Sequence, residues 1–362
     1  MTAFGSEYLE WAKLHPQVRS PLTWSGVENL VLSELPVRLE ELELTGPPGY
    51  GYAPLVRALA QQAGVDPDCV VTAAGASMAN HLVFAGLVEP GDEILIERPG
   101  YQPLVALARS HTATIRRFER RREDGFRVDV QAIERALSAR TRLLVLTNLH
   151  NPSGVWTDQA TLARVGELAG SVGARVLVDE VYLDAVLEPA AERSAIHLGG
   201  PFIVTSSLTK VYGLSGLRCG WILAPPELAR RLWRLTDLYE NGSAHIAQQL
   251  SVIALVNLAR LRERTRALLT KNRPLLEAFL DARRDLDAVR PRHGTIVFPR
   301  LRTGGGDVDT LCDLLRARYQ TAVVPGRFFE MPDHFRIGIG CASEQLSRGL
   351  EQLAAALDAL AA

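Results

Sequence analysis

Only three of the forty basic side chains in the sequence are lysines: Lys13, Lys210 and Lys271. Lys210 sits in the run Ser207-Leu208-Thr209-Lys210-Val211-Tyr212-Gly213-Leu214-Ser215-Gly216-Leu217-Arg218-Cys219-Gly220, an amine among hydroxyls and glycines. Arginine keeps its proton in a protein and forms no imine, whereas a desolvated lysine can lose the proton and form the imine. An amine kept here, in a chain that otherwise uses arginine, points to chemistry at Lys210. A surface lysine in a glycine-rich loop is the plainer alternative.

Other reactive side chains recur at the ends of strand-like runs. Gly75-Ala76-Ser77 opens a helix, where free backbone amides and the helix dipole favour an anion such as phosphate. A small-residue turn before any helix has the same composition. Tyr101, in Arg98-Pro99-Gly100-Tyr101, suits stacking on a flat ring or packing in the core. Asn148-Leu149-His150-Asn151-Pro152-Ser153-Gly154 reads as a turn. Asp179 ends an apolar run and is costly to bury unless a cation or a hydrogen-bond donor meets it; Glu180 is expected to face away. Ser207 and Lys210 close a further run, and Arg218 opens the next.

The elements that would position these groups alternate in type. Strands are expected at Val70–Ala74, Glu93–Glu97, Arg142–Asn148, Arg175–Asp179, Phe202–Ser207 and Arg218–Ala224. Helices are expected at Met78–Leu87, Gln102–Ser110 and Leu162–Ser171. Short, nearly all-apolar strands between amphipathic helices predict a mainly parallel sheet covered on both faces. Ligands bind beyond the carboxyl ends of such strands, so one sheet edge would collect all the candidates. After Pro225 the pattern turns helical, Glu227–Tyr239 and then His245 to about Arg284. The rest reads strand (Thr295–Phe298), helix (Val308–Tyr319), strands (Ala322–Val324, Phe335–Ile339) and helix (Glu344–Leu360), an α+β unit of its own. Gly304-Gly305-Gly306 reads as a short flexible loop. The expected division is a proline-rich segment, 1–48, packing on the small domain; a large α/β domain, 49–280; and the small domain, 281–362.

Bulk properties exclude several classes. A formal net charge of −1 gives no electrostatic case for nucleic acid. The basic pair Arg116-Arg117 and triplet Arg120-Arg121-Arg122 are interleaved with acids and read as a solvated face. No apolar run reaches membrane-spanning length, and Met1–Leu14 lacks the pattern of a signal peptide. Cys69, Cys219, Cys312 and Cys341 show no metal-ligand spacing and are too few for a disulfide scaffold, so a cytoplasmic protein without a metal is expected.

Taken together, His150-Asn151-Pro152-Ser153-Gly154, Asp179-Glu180-Val181-Tyr182 and Ser207-x-x-Lys210 through Arg218 resemble the class I/II aminotransferases. These are fold-type I pyridoxal phosphate (PLP) enzymes, typically with a seven-stranded sheet. The likeness runs from about Gly49 to the C-terminus. It implies that Lys210 holds PLP as an internal aldimine, with Asp179 paired to the pyridinium nitrogen. Tyr182 and Asn151 would bond the ring hydroxyl, and Tyr101 would stack on the ring. The backbone amides of Ala76 and Ser77, with Ser207 and Arg218, would hold the phosphate. Arg336, in Phe335-Arg336-Ile337-Gly338-Ile339-Gly340, resembles the arginine that grips the substrate α-carboxylate, a task suited to its planar fork. Asn151 and Gly26 would also meet the substrate. A homodimer acting on an amino acid and a 2-oxo acid follows by the same resemblance.

Two positions depart from the family pattern. Aligned on Gly51, the tyrosine that often reaches the neighbouring subunit's phosphate is here Gly46, with Tyr50 and Tyr52 out of register. The glycine pair before the small-domain strand is His293-Gly294, and His293 is read as part of a turn. The leading activity is ping-pong transfer of an α-amino group. The alternative is a PLP cyclase or lyase branching from the same quinonoid intermediate, since Ser25-Gly26-Val27-Glu28-Asn29, with Asn151-Pro152-Ser153-Gly154 and the C-terminal helix, is similar to capreomycidine synthase-like enzymes. A PLP-binding sensor of a transcription regulator is disfavoured because no helix-turn-helix pattern precedes the fold. A nicotinamide-binding protein is weaker still, with no Gly-x-Gly-x-x-Gly after a strand. Trp24, Tyr239 and His245 are candidates for side-chain selection, and an aromatic or other uncharged substrate is expected over aspartate.

Overall fold

The computed structural model of the protein describes residues 5–14, 17–111, 113–186, 194–240, 242–302 and 307–361. Helix α1 (Glu7–Leu14), the two-residue strand β1 (Ser20–Pro21) and helix α2 (Ala53–Ala63) come first. Strands β2 (Val70–Ala74), β3 (Glu93–Arg98), β4 (Thr114–Glu119), β5 (Thr141–Thr147), β6 (Arg175–Asp179), β7 (Phe202–Ser207) and β8 (Cys219–Leu223) form the main sheet. Helices α3 (Ala76–Leu87), α4 (Gln102–Ser110), α5 (Val130–Ala136) and α6 (Gln159–Ser171) lie between them in sequence. The spatial order is β2-β8-β7-β6-β5-β3-β4, seven strands. Strands β4, β3, β5, β6 and β7 run parallel, and β8 is antiparallel to both of its neighbours.

Strand periodicity divides the core into two layers. Leu143, Val145, Leu177 and Ile203 pack with Leu82 and Val83 of α3 and Leu104 of α4. Their neighbours Leu144, Leu146, Val176, Val178 and Val204 pack with Leu162, Val165 and Ala169 of α6. Successive side chains of a strand point to opposite faces, so strands apolar throughout can be covered on both. Each side chain fully buried in this way contributes about 1.5–3 kcal/mol.

The seventh strand, β4, is the one the sequence reading missed, and the reason is its edge position. Edge strands carry charge that blunts further pairing, which hides their apolar alternation. Arg116 and Arg117, read as part of a solvated face, lie in this strand, where Arg117 donates to the carbonyls of Ile96 and Glu97. Arg120 is a plain correction: it is 1% exposed and its Nη1 lies 2.8 Å from Oε2 of Glu97.

Helices α7 (Pro226–Tyr239), α8 (His245–Val256) and α9 (Leu258–Ala282) follow the sheet. The single helical run expected after His245 is broken at Asn257, whose Nδ2 donates to the carbonyl of Ile253 at 2.8 Å. Beyond α9 come β9 (Leu286–Asp287), β10 (Ile296–Val297), β11 (Arg300–Leu301), helix α10 (Val308–Tyr319), β12 (Thr321–Ala322), β13 (Val324–Pro325), β14 (Phe335–Gly338) and helix α11 (Ser343–Ala361). Strands β10, β14 and β13 form an antiparallel sheet with β14 in the middle, so Arg336 is on a central strand. Strand β1 pairs in parallel with β12, which joins the N-terminal segment to this second unit. The Gly304-Gly305-Gly306 turn lies outside the described residues.

Candidate active site

Strands β5, β6 and β7 end side by side, and their next residues surround a cavity of about 580 Å³. Its wall includes Ala76, Ser77, Tyr101, Asn151, Asp179, Tyr182, Ser207, Lys210 and Arg218, nine of the residues singled out in the sequence. Arg336 lies just behind the wall, bonded to Asn151 and to Tyr8.

Asp179 is 3% exposed, and Lys210 is half-buried. Burial, followed by the positive charge of Arg336, lowers the Lys210 amine to a pKa of about 7, although Asp179 pulls the other way. Its Nζ lies 4.1 Å from the centre of the Trp24 ring. Burial raises Asp179 to about 6, against a hydrogen bond from Asn80. The Asp179 carboxylate accepts from Nδ2 of Asn80 at 2.9 Å and from the backbone N–H of Val181 at 3.2 Å. Glu180 points elsewhere, its carboxylate accepting from Ser194 and from the N–H of Ala195.

One end of the cavity is built for an anion. Helix α3 starts after Gly75 with no side-chain cap, leaving the first amides of the helix open. Gly75 has φ +84°, and a Cβ there would come within 2.4 Å of the Arg218 guanidinium. Only glycine lets the arginine lie along this turn; Arg218 Nη2 donates to the carbonyl of Ala74 at 3.0 Å. Ser207 completes this end from the last position of β7.

The opposite end is set by Arg336, which is 0% exposed. Its Nη1 donates to Oδ1 of Asn151 at 2.8 Å, and Nη2 to the Tyr8 hydroxyl at 2.8 Å and the Thr23 carbonyl at 3.1 Å. Nε has no hydrogen-bond partner among the described residues. Among the described residues no carboxylate pairs with this guanidinium, so a buried cation is left for a ligand anion to neutralise. Asn151 is itself held: its N–H donates to Oγ1 of Thr147, which donates to Oε1 of Glu97 at 2.6 Å.

Tyr182 donates its hydroxyl to Oγ of Ser25 at 2.8 Å, and burial pushes its pKa upward, so it stays protonated. Gly26 is not on the wall. A Cβ at Gly26 would meet the Lys210 carbonyl at 2.8 Å, so its lack of a side chain serves the approach of two backbones. Trp24 takes the wall position, with Tyr8, Leu9 and Trp11 beyond it. His293 is buried in the turn before β10, its ring 6.0 Å from that of Trp156. Gly46 backs onto His245, while Tyr50 donates to Asp237 and Tyr52 meets His245 edge-on.

Sequence reasoning missed Asn80, Thr147, Glu97, Arg120, Tyr8 and Ser25. Only Asn80 carried a local signal, an amide in an otherwise apolar helical run. The donor set fits pyridoxal phosphate: an amine for the aldehyde, an acid for the ring nitrogen, and open amides with an arginine for the phosphate.

Residues 40–353 match the family described as aminotransferase class I and II. The chain is 32% identical to capreomycidine synthase of Streptomyces vinaceus over 351 residues, 92% of this chain and 88% of that protein. It is 28% identical to an arginine–pyruvate transaminase of Pseudomonas aeruginosa, over 80% of this chain and 75% of that one. The fold superposes on a PLP-dependent aminotransferase from Streptococcus suis with a TM-score of 0.90 at 26% identity, covering 98% of this chain and 97% of the other.

Proposed function

This chain belongs to the class I and II aminotransferase family, with pyridoxal phosphate as cofactor, and we propose that it moves the α-amino group of an L-amino acid to a 2-oxo acid. When bound, the cofactor supplies an electron-poor ring that draws charge away from the substrate α-carbon. The observation that carries the reading is the Arg336 guanidinium, buried with no carboxylate paired to it among the described residues, near a half-buried amine and a buried acid.

In this reading Asp179 would pair with the ring nitrogen and keep a proton there. Tyr101 would stack on the ring, and Tyr182 and Asn151 would bond its hydroxyl. Ala76 and Ser77 amides, Ser207 and Arg218 would hold the phosphate. Arg336 would take the substrate carboxylate, helped by Asn151. Lys210 would carry the cofactor and would then serve as the base that takes the substrate α-proton. Its depressed pKa suits it to be that base at neutral pH. Of the two amines among the described lining residues, Lys13 and Lys210, Lys210 is the one that feels the Asp179 charge and lies over the Trp24 ring.

The outer wall favours an uncharged donor side chain. Tyr8, Leu9, Trp11, Ala12 and Trp24 are apolar or aromatic with Lys13 as the charged exception beside them, and the only carboxylate among the described lining residues is Asp179. We assign the protein to the cytoplasm, in keeping with four unpaired thiols. A homodimer is supported by the exposed apolar side chains Val31, Leu32, Leu39, Leu238, Tyr239 and Val256; sedimentation at the monomer mass would refute it.

The deciding experiment titrates the PLP-loaded protein with a panel of amino acids and follows its visible spectrum. Conversion to the pyridoxamine form with one equivalent of 2-oxo acid supports transamination. The second reading, a cyclase or lyase on the same residues, is favoured by the likeness to capreomycidine synthase over 92% of the chain. Release of ammonia or a cyclised product without a 2-oxo acid acceptor would establish it instead.

A further inference from the structure

Asn80 is 4% exposed in the second turn of α3, and its side-chain amide bridges two strands of the main sheet. Its Nδ2 donates to Oδ2 of Asp179 on β6 at 2.9 Å, and its Oδ1 accepts from Oγ1 of Thr205 on β7 at 2.6 Å. Thr205 is 0% exposed. An ionised carboxylate only accepts, so the amide must turn its NH₂ toward Asp179, and Thr205 then satisfies the carbonyl. A hydrophobic residue would suit this stretch of α3 equally well for packing, since Ala79, Leu82 and Val83 around it are fully buried. An amide here has a different use.

We propose that Asn80, anchored by Thr205, is a positioning residue that holds Asp179 ionised and aimed, so that the proton shared with the cofactor resides on the ring nitrogen rather than on the carboxyl. This deepens the reading of the site and rests on it for the placement of Asp179. A donated hydrogen bond favours the charged form of an acid. The backbone N–H of Val181 and the Lys210 charge act in the same direction, against burial. The other titratable groups felt by Asp179 are Glu180, Tyr101 and Tyr182, and none of them supplies a positive charge.

The test uses Asn80→Leu and Asn80→Asp, close to asparagine in size, with Asp179→Asn as reference. In the apoprotein, difference infrared spectra against Asp179→Asn follow the Asp179 carboxyl through a pH titration. Its midpoint should rise by about one to two units in Asn80→Leu and further in Asn80→Asp. In the loaded protein, nitrogen-15 in the cofactor ring should move from the protonated toward the neutral chemical shift. An unchanged midpoint and an unchanged nitrogen shift in folded Asn80→Leu would overturn the proposal. If that variant does not fold, the same readings on Thr205→Val decide it, because the amide then loses its anchor. A nitrogen shift insensitive to Asp179→Asn as well would instead refute the placement of Asp179.

Discussion

Nη1 of Arg336 donates to Oδ1 of Asn151 at 2.8 Å, joining the central strand of the C-terminal sheet to the turn that closes β5. The end of the site proposed for a carboxylate therefore exists only when the two sheets are in contact. Arg336→Lys keeps the charge but loses the fork, and with it the simultaneous hold on Asn151 and a substrate carboxylate. KM for the amino acid should rise about 10- to 100-fold, with a smaller change in kcat, the loss expected for one or two charge-assisted hydrogen bonds. An unchanged KM across the donor panel would remove Arg336 from substrate binding.

Lys210→Ala should bind PLP without a covalent link and lose about 10²–10⁴-fold in turnover through the missing base, with covalent attachment lost as well. Mass spectrometry after borohydride reduction reads the attachment. Retained steady-state transamination would sink the assignment.

The depressed pKa of Lys210 makes a pH prediction for the apoprotein. A base held at about 7 is half neutral there, far below its ordinary 10.5. The rate of PLP capture should climb to about pH 8 and then level off. At pH 6 it should be roughly tenfold below the plateau, following the fraction of neutral amine. Between about 7 and 10.5 the unfolded chain binds a proton at this site that the folded chain does not, so this group's contribution to stability improves as pH rises through that window. A capture rate still rising tenfold per unit at pH 9 would contradict an amine already neutral at that pH.

Arg120→Met leaves the Glu97 carboxylate buried without its cation. Urea unfolding should show a loss of about 3–5 kcal/mol. Arg120→Met with Glu97→Leu removes both charges and should recover much of that stability. Thr147 then has no acceptor for its hydroxyl, the hold on Asn151 loosens, and activity should stay low although the fold returns. Full activity in the double variant would break the link from Glu97 to the site.

Asn151, Asp179, Ser207 and Lys210 were legible in the sequence because each follows an apolar strand run, and strand period and turn composition are local properties. The parallel reading of those strands is enough to bring the four to one edge. What the wall of the site touches was not legible. Asn80 meets Asp179 across 99 residues, Tyr182 meets Ser25 across 157, and Arg336 meets Tyr8 across 328. Arg120 looked like one more solvated arginine in a charged run, and only the packing of β4 against β3 makes it the buried partner of Glu97. Chemistry at Lys210 could be read from its residue type and its neighbours in sequence. The protonation and aim of the groups around it depend on burial and on long-range partners, and those exist only in the folded chain.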